Sequence, residues 1–191
     1  GTSVTPAAYK IMPYDNLYIR VLTPDPQYSE LFNVSVGTGT LTQESAGLSS
    51  YSVDLDGYIE IPYVGKIKVG GKTLPEIKIK LDTVFKNYVA DGAITLRLVN
   101  NAISVLGEVS RPGRYEIYKD QLNIFEALSL AGDLTVYSNR QKVQLLRPTQ
   151  YGPTIKEFSL TDRSILNSEY FYIMPNDIIY AMPTQGLSLI H

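Results

Sequence analysis

Few residues of this chain have the types and spacing that catalysis or transition-metal binding requires. The 191-residue sequence contains no cysteine and a single histidine, His191, which is its last residue. Fraying at a chain end works against the fixed geometry that acid–base or metal chemistry needs. The sequence therefore argues against a Ser-His-Asp triad, a thiolate nucleophile and a zinc site, and any transition-metal site would consist of oxygen ligands.

The closest carboxylate pair is Asp54 with Asp56, two side chains that would project from one face of a strand. Such a pair could bind calcium, but a glycosidase holds its two carboxylates across a cleft. Asp56 precedes Gly57, and Asp-Gly is a frequent turn dipeptide. We interpret the pair as part of a turn and predict no catalytic residue and no metal site.

Three glycines that precede a predicted helix invite comparison with a phosphate-binding loop. They are Gly65 and the adjacent Gly70 and Gly71. The lysine-serine/threonine pair and the glycine spacing of that motif are missing. We therefore predict no nucleotide and no other cofactor.

The aromatic and basic residues leave binding hypotheses open. The 15 tyrosines could stack on sugars, but aromatic residues in strands ordinarily pack in a core or an interface. We favour the core or interface for Tyr58, Tyr63, Tyr115 and Tyr180. A local group of lysines could meet an anionic polysaccharide or lipid headgroups, although a solvated face is the simpler interpretation. The group contains Lys66, Lys68, Lys72, Lys78, Lys80 and Lys86.

Composition bounds the fold and the partners. With 44% hydrophobic residues the chain can build one large or two small domains. Its 17 basic and 19 acidic residues give a net charge of −2, so we predict no nucleic-acid partner. No run approaches the roughly 20 apolar residues of a membrane helix. The start has neither an initiator methionine nor a signal-peptide core, and we expect that the sequence has been trimmed.

The elements that would position these residues begin with two strands and a helix. After the turn at Asp56-Gly57, apolar residues alternate as in half-buried strands, at Ile59, Ile61, Tyr63 and Ile67. Thr73 and Glu76 have the spacing of a capping box, which predicts a helix that starts there. The apolar face of that helix would contain Leu74, Ile77, Leu81, Val84, Phe85 and Tyr88.

A near repeat links the two ends of the chain. Residues 11–18 and 173–180 share five of eight identities: an isoleucine, a methionine, a proline, an aspartate and a tyrosine. Proline suits the second position of a β-turn, and the aspartate can cap amides at the exit of the turn. We interpret each copy as a strand, a turn and a strand, and the repeat as duplicated architecture.

A second group of elements follows the same plan as the first. Residues 103–109 and 113–117 read as strands that flank a turn at 110–112. Asn123 and Glu126 then predict a helix start, and Gly132 a left-handed helix stop. The inward face of this helix would contain Leu122, Phe125, Leu128 and Ala131.

We predict an α+β protein with two small strand-rich domains, each with a helix packed on a sheet. The domains would span residues 8–99 and 102–183. Within the first domain, residues 23–52 predict a long mobile loop, whose second half is rich in Gly, Ser and Thr. Loops of this length are either functional or simple insertions, so the segment is an interaction arm or an insertion.

Four groups of residues, in order and over most of the chain, resemble the Wza-type outer-membrane polysaccharide export proteins of bacteria. Residues 9–15 resemble the opening motif of the polysaccharide export domain, and residues 53–65 with 67–73 look like its central signature. The second half resembles the family's SLBB module, a β-grasp fold, at residues 105–115, 128–132 and 145–148. Residues 171–177 resemble its closing strand motif. The family often has glycine where Tyr14 and Asn176 stand, so we predict type I turns there instead of type II turns.

The resemblance implies the periplasmic part of an outer-membrane translocon for capsular or exopolysaccharide, without catalysis. It implies ring oligomers of the full-length protein and a partner in the inner membrane, a polysaccharide co-polymerase or a tyrosine kinase. It also implies a lipoprotein on the periplasmic face of the outer membrane, although the family's acylated cysteine and C-terminal membrane helix have no counterpart in this sequence.

Two other functions compete with export. The first is a carbohydrate-binding or adhesion module that uses the β-grasp as a ligand platform. The second is an enzyme that acts on polysaccharide, which would require a carboxylate pair such as Asp54 and Asp56. The sequence does not assign ligand-binding residues, because the face of each strand that would line a channel depends on the geometry of a ring.

Overall fold

The structure of the protein is a computed structural model that describes residues 7–27 and 50–184. The chain divides into two compact units, one of Ala8–Asn100 and one that starts at Asn101. Each unit has its own hydrophobic core and combines short strands with an α-helix, which confirms the predicted α+β class. Most of the predicted loop at 23–52, and His191, lie outside the described residues. The predicted loop ends two residues too late, because Tyr51–Ser52 form a strand.

The first unit contains a three-stranded antiparallel sheet, a two-stranded hairpin and a helix. In the sheet, β1 lies between β2 and β5. The hairpin joins β3 to β4, and helix α1 follows it and packs against β5. The bounds are β1 Asn16–Leu22, β2 Tyr51–Ser52, β3 Tyr58–Ile61, β4 Gly65–Lys68, α1 Leu74–Phe85 and β5 Ala93–Leu98.

Helix α1 begins where the sequence predicts it. The Thr73 hydroxyl accepts a hydrogen bond from the Glu76 amide at 3.4 Å, and the Glu76 carboxylate accepts one from the Thr73 amide at 3.3 Å. This capping box satisfies two amides that the first turn leaves without helical partners. The predicted face is buried at Ile77, Leu81 and Phe85. Tyr88 lies beyond the end of the helix and is exposed, so its predicted inward position was wrong.

The β3–β4 hairpin confirms the predicted alternation at three positions and contradicts it at one. Ile59, Ile61 and Ile67 are buried. Tyr63 lies in the connecting turn, where it has φ +67° and is 72% exposed. Pro62 fixes the second position of this turn, and the Val64 amide closes it on the Ile61 carbonyl at 3.1 Å.

The second unit contains a five-stranded sheet in the order β7-β6-β10-β8-β9. The last strand, β10, lies at the centre of the sheet, parallel to β6 and antiparallel to β8. The bounds are β6 Ala102–Gly107, β7 Gly113–Glu116, α2 Ile124–Leu130, β8 Ser138–Arg147, β9 Thr154–Phe158, a 3-10 helix Arg163–Asn167 and β10 Ile178–Pro183. The assignment of this unit to the β-grasp fold stays a prediction.

Helix α2 also begins with the predicted capping box. The Asn123 side chain accepts from the Glu126 amide at 3.0 Å, and Glu126 accepts from the Asn123 amide at 3.3 Å. Gly132 has φ +77°, which confirms the predicted left-handed stop. Phe125 was predicted to face inward but is 42% exposed, because the helix buries the adjacent positions instead. Its buried residues are Ile124, Ala127 and Leu128.

Both copies of the near repeat form a turn followed by a strand, and the strand predicted before each turn is absent from the described residues. The first copy leads into β1 and the second into β10. In the turns, the Asp15 amide donates to the Met12 carbonyl at 3.2 Å, and the Asp177 amide donates to the Met174 carbonyl at 3.1 Å.

The prediction of type I turns in the two copies was wrong. Tyr14 and Asn176 each have φ +69° at the third position of the turn, the position where a type II turn requires a positive φ. The proline before each of these residues suits the second position of a type II turn as well as that of a type I turn. The left-handed conformation is therefore kept without the glycine that usually adopts it.

Replacing Tyr14 by glycine is expected to raise the free energy of unfolding of the first unit by about 0.5–1 kcal/mol. A tyrosine at positive φ costs about 1–2 kcal/mol, and the greater freedom of glycine in the unfolded chain offsets part of the gain. Urea unfolding of Tyr14→Gly against the parent chain measures the change. Asn176→Gly is the control, with no gain expected, because asparagine tolerates this conformation. Equal gains at both positions would contradict the explanation.

Candidate functional site

Two buried aspartates, Asp15 and Asp177, are the principal polar groups of the two cores. Their exposed fractions are 5% and 0%. They occupy equivalent positions of the near repeat, and each carboxylate accepts a hydrogen bond from the amide three residues earlier. Asp15 Oδ2 accepts from the Met12 amide at 2.9 Å, and Asp177 Oδ2 accepts from the Met174 amide at 2.7 Å. Each carboxylate thereby holds its own turn closed.

The environment of Asp177 includes a guanidinium group. Arg147, from the end of β8, donates its Nε to Asp177 Oδ1 at 3.1 Å and its Nη2 to Oδ2 at 2.9 Å. The same Nη2 donates to the Tyr172 carbonyl at 3.0 Å, and the guanidinium lies 5.0 Å from the centre of the Tyr170 ring. Desolvation by burial raises the pKa of Asp177, and the contacts with Arg147 and the Met174 amide offset only part of that rise.

Asp15 has a hydroxyl where Asp177 has a guanidinium. The Tyr9 hydroxyl donates to Asp15 Oδ2 at 2.7 Å. Burial raises the pKa of Asp15, and the hydrogen bonds from the Met12 amide and from Tyr9 lower it by less. Both carboxylates are therefore occupied by donors of their own unit, and their arrangement stabilises the turns instead of presenting a group to a substrate.

The sequence did not identify this role for the two aspartates. It predicted that they cap amides at the exit of each turn, whereas they bind the amide that precedes the proline. The signal available in the sequence was the identical Ile-Met-Pro-x-Asp spacing in both copies. Neither Tyr9 nor Arg147 could be recognised as a partner from that spacing.

The stability that Asp15 contributes is expected to increase as the pH falls. Because its folded pKa lies above the ordinary value of 3.8, the folded state takes up the proton first. The folded state therefore gains stability as the pH falls from neutrality through the raised pKa towards 3.8, and it loses that gain as the pH rises again. Asp15→Asn removes the titration but keeps an oxygen acceptor.

Urea unfolding of both proteins at pH 7 and pH 4 tests this expectation. The parent chain should become more stable relative to Asp15→Asn at the lower pH. Asp177 titrates in both proteins, so its contribution cancels in the difference. A difference that is constant with pH, or that shrinks on acidification, would contradict the assigned direction.

Asp54 and Asp56 lie in the turn that the sequence predicts. Asp54 Oδ1 accepts from the Asp56 amide at 3.0 Å and from the Tyr58 amide at 2.8 Å. The carbonyl of Asp56 accepts from the Lys68 ammonium. Within residues 7–27 and 50–184, no three His, Cys, Asp or Glu side chains are grouped closely enough to hold a metal ion.

The glycines before α1 serve a close backbone contact. The amides of Val69 and Gly70 both donate to the Gly57 carbonyl at 2.8 Å. A Cβ at Gly70 would lie 2.8 Å from the Gly57 Cα, so the two chain segments can approach only without a side chain. Gly65 has φ +97° in the β3–β4 turn. Gly71 has φ +76° and donates its amide to the Ile11 carbonyl at 2.8 Å, so each of the three glycines has a backbone role.

The four tyrosines predicted to be core or interface residues have different environments. Tyr115 packs against the second core, whereas Tyr58 and Tyr180 lie in strands with exposed side chains and Tyr63 lies in a turn. The core position is therefore seen for Tyr115 and is wrong for the other three. An interface role for those three stays a prediction.

Three of the six lysines of the predicted basic group bind partners in the chain. The Lys68 ammonium lies 4.9 Å from the centre of the Tyr58 ring, and Lys78 pairs with Asp82 at 3.0 Å. Lys80 donates to the Lys68 carbonyl at 3.2 Å. These contacts fit a solvated face of the helix and hairpin better than a concentrated anion site.

No helix in the described part of the chain is both long and apolar enough to cross a membrane.

Comparison with known proteins places these features in a family. The sequence model of the family described as polysaccharide biosynthesis/export protein matches residues 3–101. The EPS I polysaccharide export outer membrane protein EpsA of Ralstonia nicotianae is 33% identical over 104 residues, 52% of this chain and 27% of that protein. The exopolysaccharide production protein ExoF of Rhizobium meliloti is 29% identical over 108 residues, 54% of this chain and 25% of that protein.

The matched part of this chain thus spans about a quarter of the length of these curated relatives. The family match itself covers more than half of the 191 residues, from the start of the first unit to its end. The matched range includes the turn at Pro13-Tyr14, the β3–β4 hairpin and the capped start of helix α1. These elements carry the resemblance in the sequence. The chain belongs to the polysaccharide biosynthesis/export protein family, as its resemblance to Wza-type export proteins predicts.

Proposed function

We propose that this chain is the periplasmic part of an outer-membrane translocon that exports capsular or exopolysaccharide, and that it acts as a ring-forming conduit subunit without catalysis. The observation that carries the proposal is the family match over residues 3–101. Two of the relatives are named polysaccharide export outer membrane proteins, which supports the same substrate class and membrane for this chain.

The chemistry of the described residues supports a conduit. The buried carboxylates Asp15 and Asp177 hold turns, and Asp54 with Asp56 organises a hairpin. A channel for a long hydrated polymer requires a polar wall and weak, replaceable contacts instead of an acid, a base and a nucleophile in fixed geometry.

Several finer assignments form part of the same proposal. The partners are further copies of the chain, an inner-membrane polysaccharide co-polymerase or tyrosine kinase, and the polysaccharide itself. The full-length protein is a lipoprotein on the periplasmic face of the outer membrane. Residues 8–99 form the export domain and 102–183 an SLBB-type β-grasp domain, an assignment that the parallel pairing of β6 with the central, last strand β10 supports.

Deletion of the full-length gene in the source bacterium, with complementation, tests the proposal. We expect surface polysaccharide to disappear and to return when the gene is restored. Complementation with Asp54→Ala/Asp56→Ala separates export from catalysis, because a conduit keeps the polymer length distribution that a glycan-cleaving enzyme would change. Unchanged surface polysaccharide in the deletion strain, under conditions where no second exporter is expressed, would refute the export function.

A carbohydrate-binding or adhesion module is the alternative, and it predicts a different affinity. A dedicated binder should hold a defined oligosaccharide at micromolar affinity as an isolated chain, whereas a conduit subunit should bind it weakly. Calorimetric titration of the chain with oligosaccharides prepared from the purified polymer distinguishes the two functions.

A further inference from the structure

An ion pair and several aromatic residues lie on the second unit, before helix α2, at its start and in the segment bonded to that start. Lys119 pairs with Glu126, and Tyr118 directly precedes Lys119 in the chain. Phe125 directly precedes Glu126, and its ring contacts Phe171, the residue before Tyr172. We call these six residues the aromatic patch: Tyr118, Lys119, Phe125, Glu126, Phe171 and Tyr172.

Three rings of the aromatic patch, those of Phe125, Phe171 and Tyr172, contact one another in series. The centroids of Phe125 and Phe171 are 6.2 Å apart with an edge-to-face geometry, and those of Phe171 and Tyr172 are 5.0 Å apart. Phe125 is 42% exposed and Tyr118 is 65% exposed, and neither belongs to the hydrophobic core of the second unit. The patch therefore presents ring surface to solvent on a base of packed rings.

Asn123 positions the polar part of the patch through its side chain and its backbone. Its side-chain nitrogen Nδ2 donates to Glu126 Oε1 at 2.7 Å, and its backbone forms a β-bridge with Tyr172. The Ile124 amide donates to the Phe171 carbonyl at 2.8 Å. The segment that carries Phe171 and Tyr172 is thus tied to the start of α2 by main-chain bonds. This attachment positions Phe171 and Tyr172 before any ligand arrives, which reduces the entropy lost on binding.

The ion pair keeps both of its charges at neutral pH. The hydrogen bond to Glu126 raises the pKa of Lys119, and the hydrogen bond from Lys119 lowers the pKa of Glu126. An ammonium and a carboxylate side by side offer charge-assisted donors and acceptors to the same ligand. A ligand that suits the patch therefore has an apolar face for the rings and hydroxyl groups at its edge.

Sugars have this combination of surfaces, since a pyranose ring presents C–H groups on its face and hydroxyls around its rim. A protein partner fits less well, because a stable protein interface takes about 20–30 residues from each side. We propose that the aromatic patch is a glycan-binding site of the second unit, in which Tyr118 and Phe125 stack on sugar rings and the Lys119–Glu126 pair binds their hydroxyls. This site deepens the proposed export function and rests on it for the choice of polymer.

The test uses the full 191-residue chain and short oligosaccharides released from the purified surface polysaccharide of the source bacterium. We expect NMR titration to shift the signals of Lys119, Phe125 and Tyr172. Tyr118→Ala and Phe125→Ala should each weaken binding about fivefold, the range that loss of an aromatic contact gives. Phe125→Leu keeps an apolar contact for Phe171 and should weaken binding as well, which separates loss of the ring from loss of folding.

Tyr151→Ala is the matched control, because Tyr151 belongs to the same unit, is 92% exposed and lies outside the patch. It should leave the affinity unchanged. Shifts that map elsewhere, equal weakening by Tyr151→Ala, or unchanged binding of all patch variants would overturn the proposal. The proposal would also be overturned if the patch variants still bound glycan but no longer crosslinked to another protein, because the patch would then be a protein interface. Failure of the export function is a separate result, since it is read from surface polysaccharide in the deletion strain.

Discussion

Replacing Asp177 by alanine is expected to lower the free energy of unfolding of the second unit by about 3–5 kcal/mol. The substitution removes the carboxylate that accepts hydrogen bonds from Nε and Nη2 of Arg147 and from the Met174 amide. The guanidinium, whose side chain is largely buried, would then lie without its anion and keep only the Tyr172 carbonyl and the Tyr170 ring. Most of the lost stability comes from the buried, unpaired charge of Arg147, and less comes from the hydrogen bonds that Asp177 no longer accepts.

The equivalent substitution in the other unit is the control. Asp15→Ala removes the same bond to the amide before the proline, but its second partner is the neutral Tyr9 hydroxyl. Its loss should be about 1–3 kcal/mol, the range for leaving neutral buried donors unsatisfied. Urea unfolding of the whole chain, followed by NMR signals from each unit, measures both changes.

Arg147→Met completes a double-mutant cycle with Asp177→Ala. If the uncompensated guanidinium causes the loss, the double variant should be less destabilised than the sum of the two single variants predicts. A loss for Asp177→Ala that does not exceed that of Asp15→Ala, or strict additivity in the cycle, would contradict the assigned role of Arg147.

The helix starts could be predicted from the sequence because the interactions that make them are local. Thr73 with Glu76, and Asn123 with Glu126, lie three residues apart and form their reciprocal bonds without help from the rest of the chain. The same holds for the left-handed stop at Gly132, where the conformation depends on one residue.

Positions that depend on a neighbour in space were predicted less well. Tyr63 continues an apolar alternation, but Pro62 starts a turn there and lifts the tyrosine out of the strand. Phe125 fits a helical apolar face, yet the segment at Phe171 lies beside it and gives it an edge-to-face contact at the surface. Neither competing feature can be read from hydrophobic periodicity.

The buried aspartates and the aromatic patch depend on contacts between distant parts of the chain. Arg147 reaches Asp177 because β8 pairs with β10, with Leu146 opposite Ile178. Phe125 and Phe171 come together where Asn123 bridges to Tyr172. The sequence therefore predicted where the turns and helices lie, while the partners of their polar groups needed the topology of the sheet.

Alanine at Gly107 is the second substitution with a large expected effect, a loss of about 2–5 kcal/mol from the stability of the second unit. Gly107 has φ +87°, and a Cβ there would lie less than 3.0 Å from the Ala181 carbonyl oxygen. The strain of a side chain at positive φ accounts for about 1–2 kcal/mol, and overpacking against a fixed backbone atom adds about 1–3 kcal/mol. Urea unfolding of Gly107→Ala, followed by NMR signals of β6 and β10, measures the loss.

Gly152→Ala isolates the two contributions, because Gly152 has φ +108° and no heavy atom within 4 Å of an added Cβ. It should lose only the conformational part, about 1–2 kcal/mol. The extra loss at Gly107 arises because the Ala181 carbonyl cannot move away: it accepts the Glu108 amide at 2.8 Å at the end of the parallel β6–β10 ladder. Displacing it would break that bond in the central strand of the sheet. Equal losses for the two variants would mean that the parallel pair tolerates a side chain at its end.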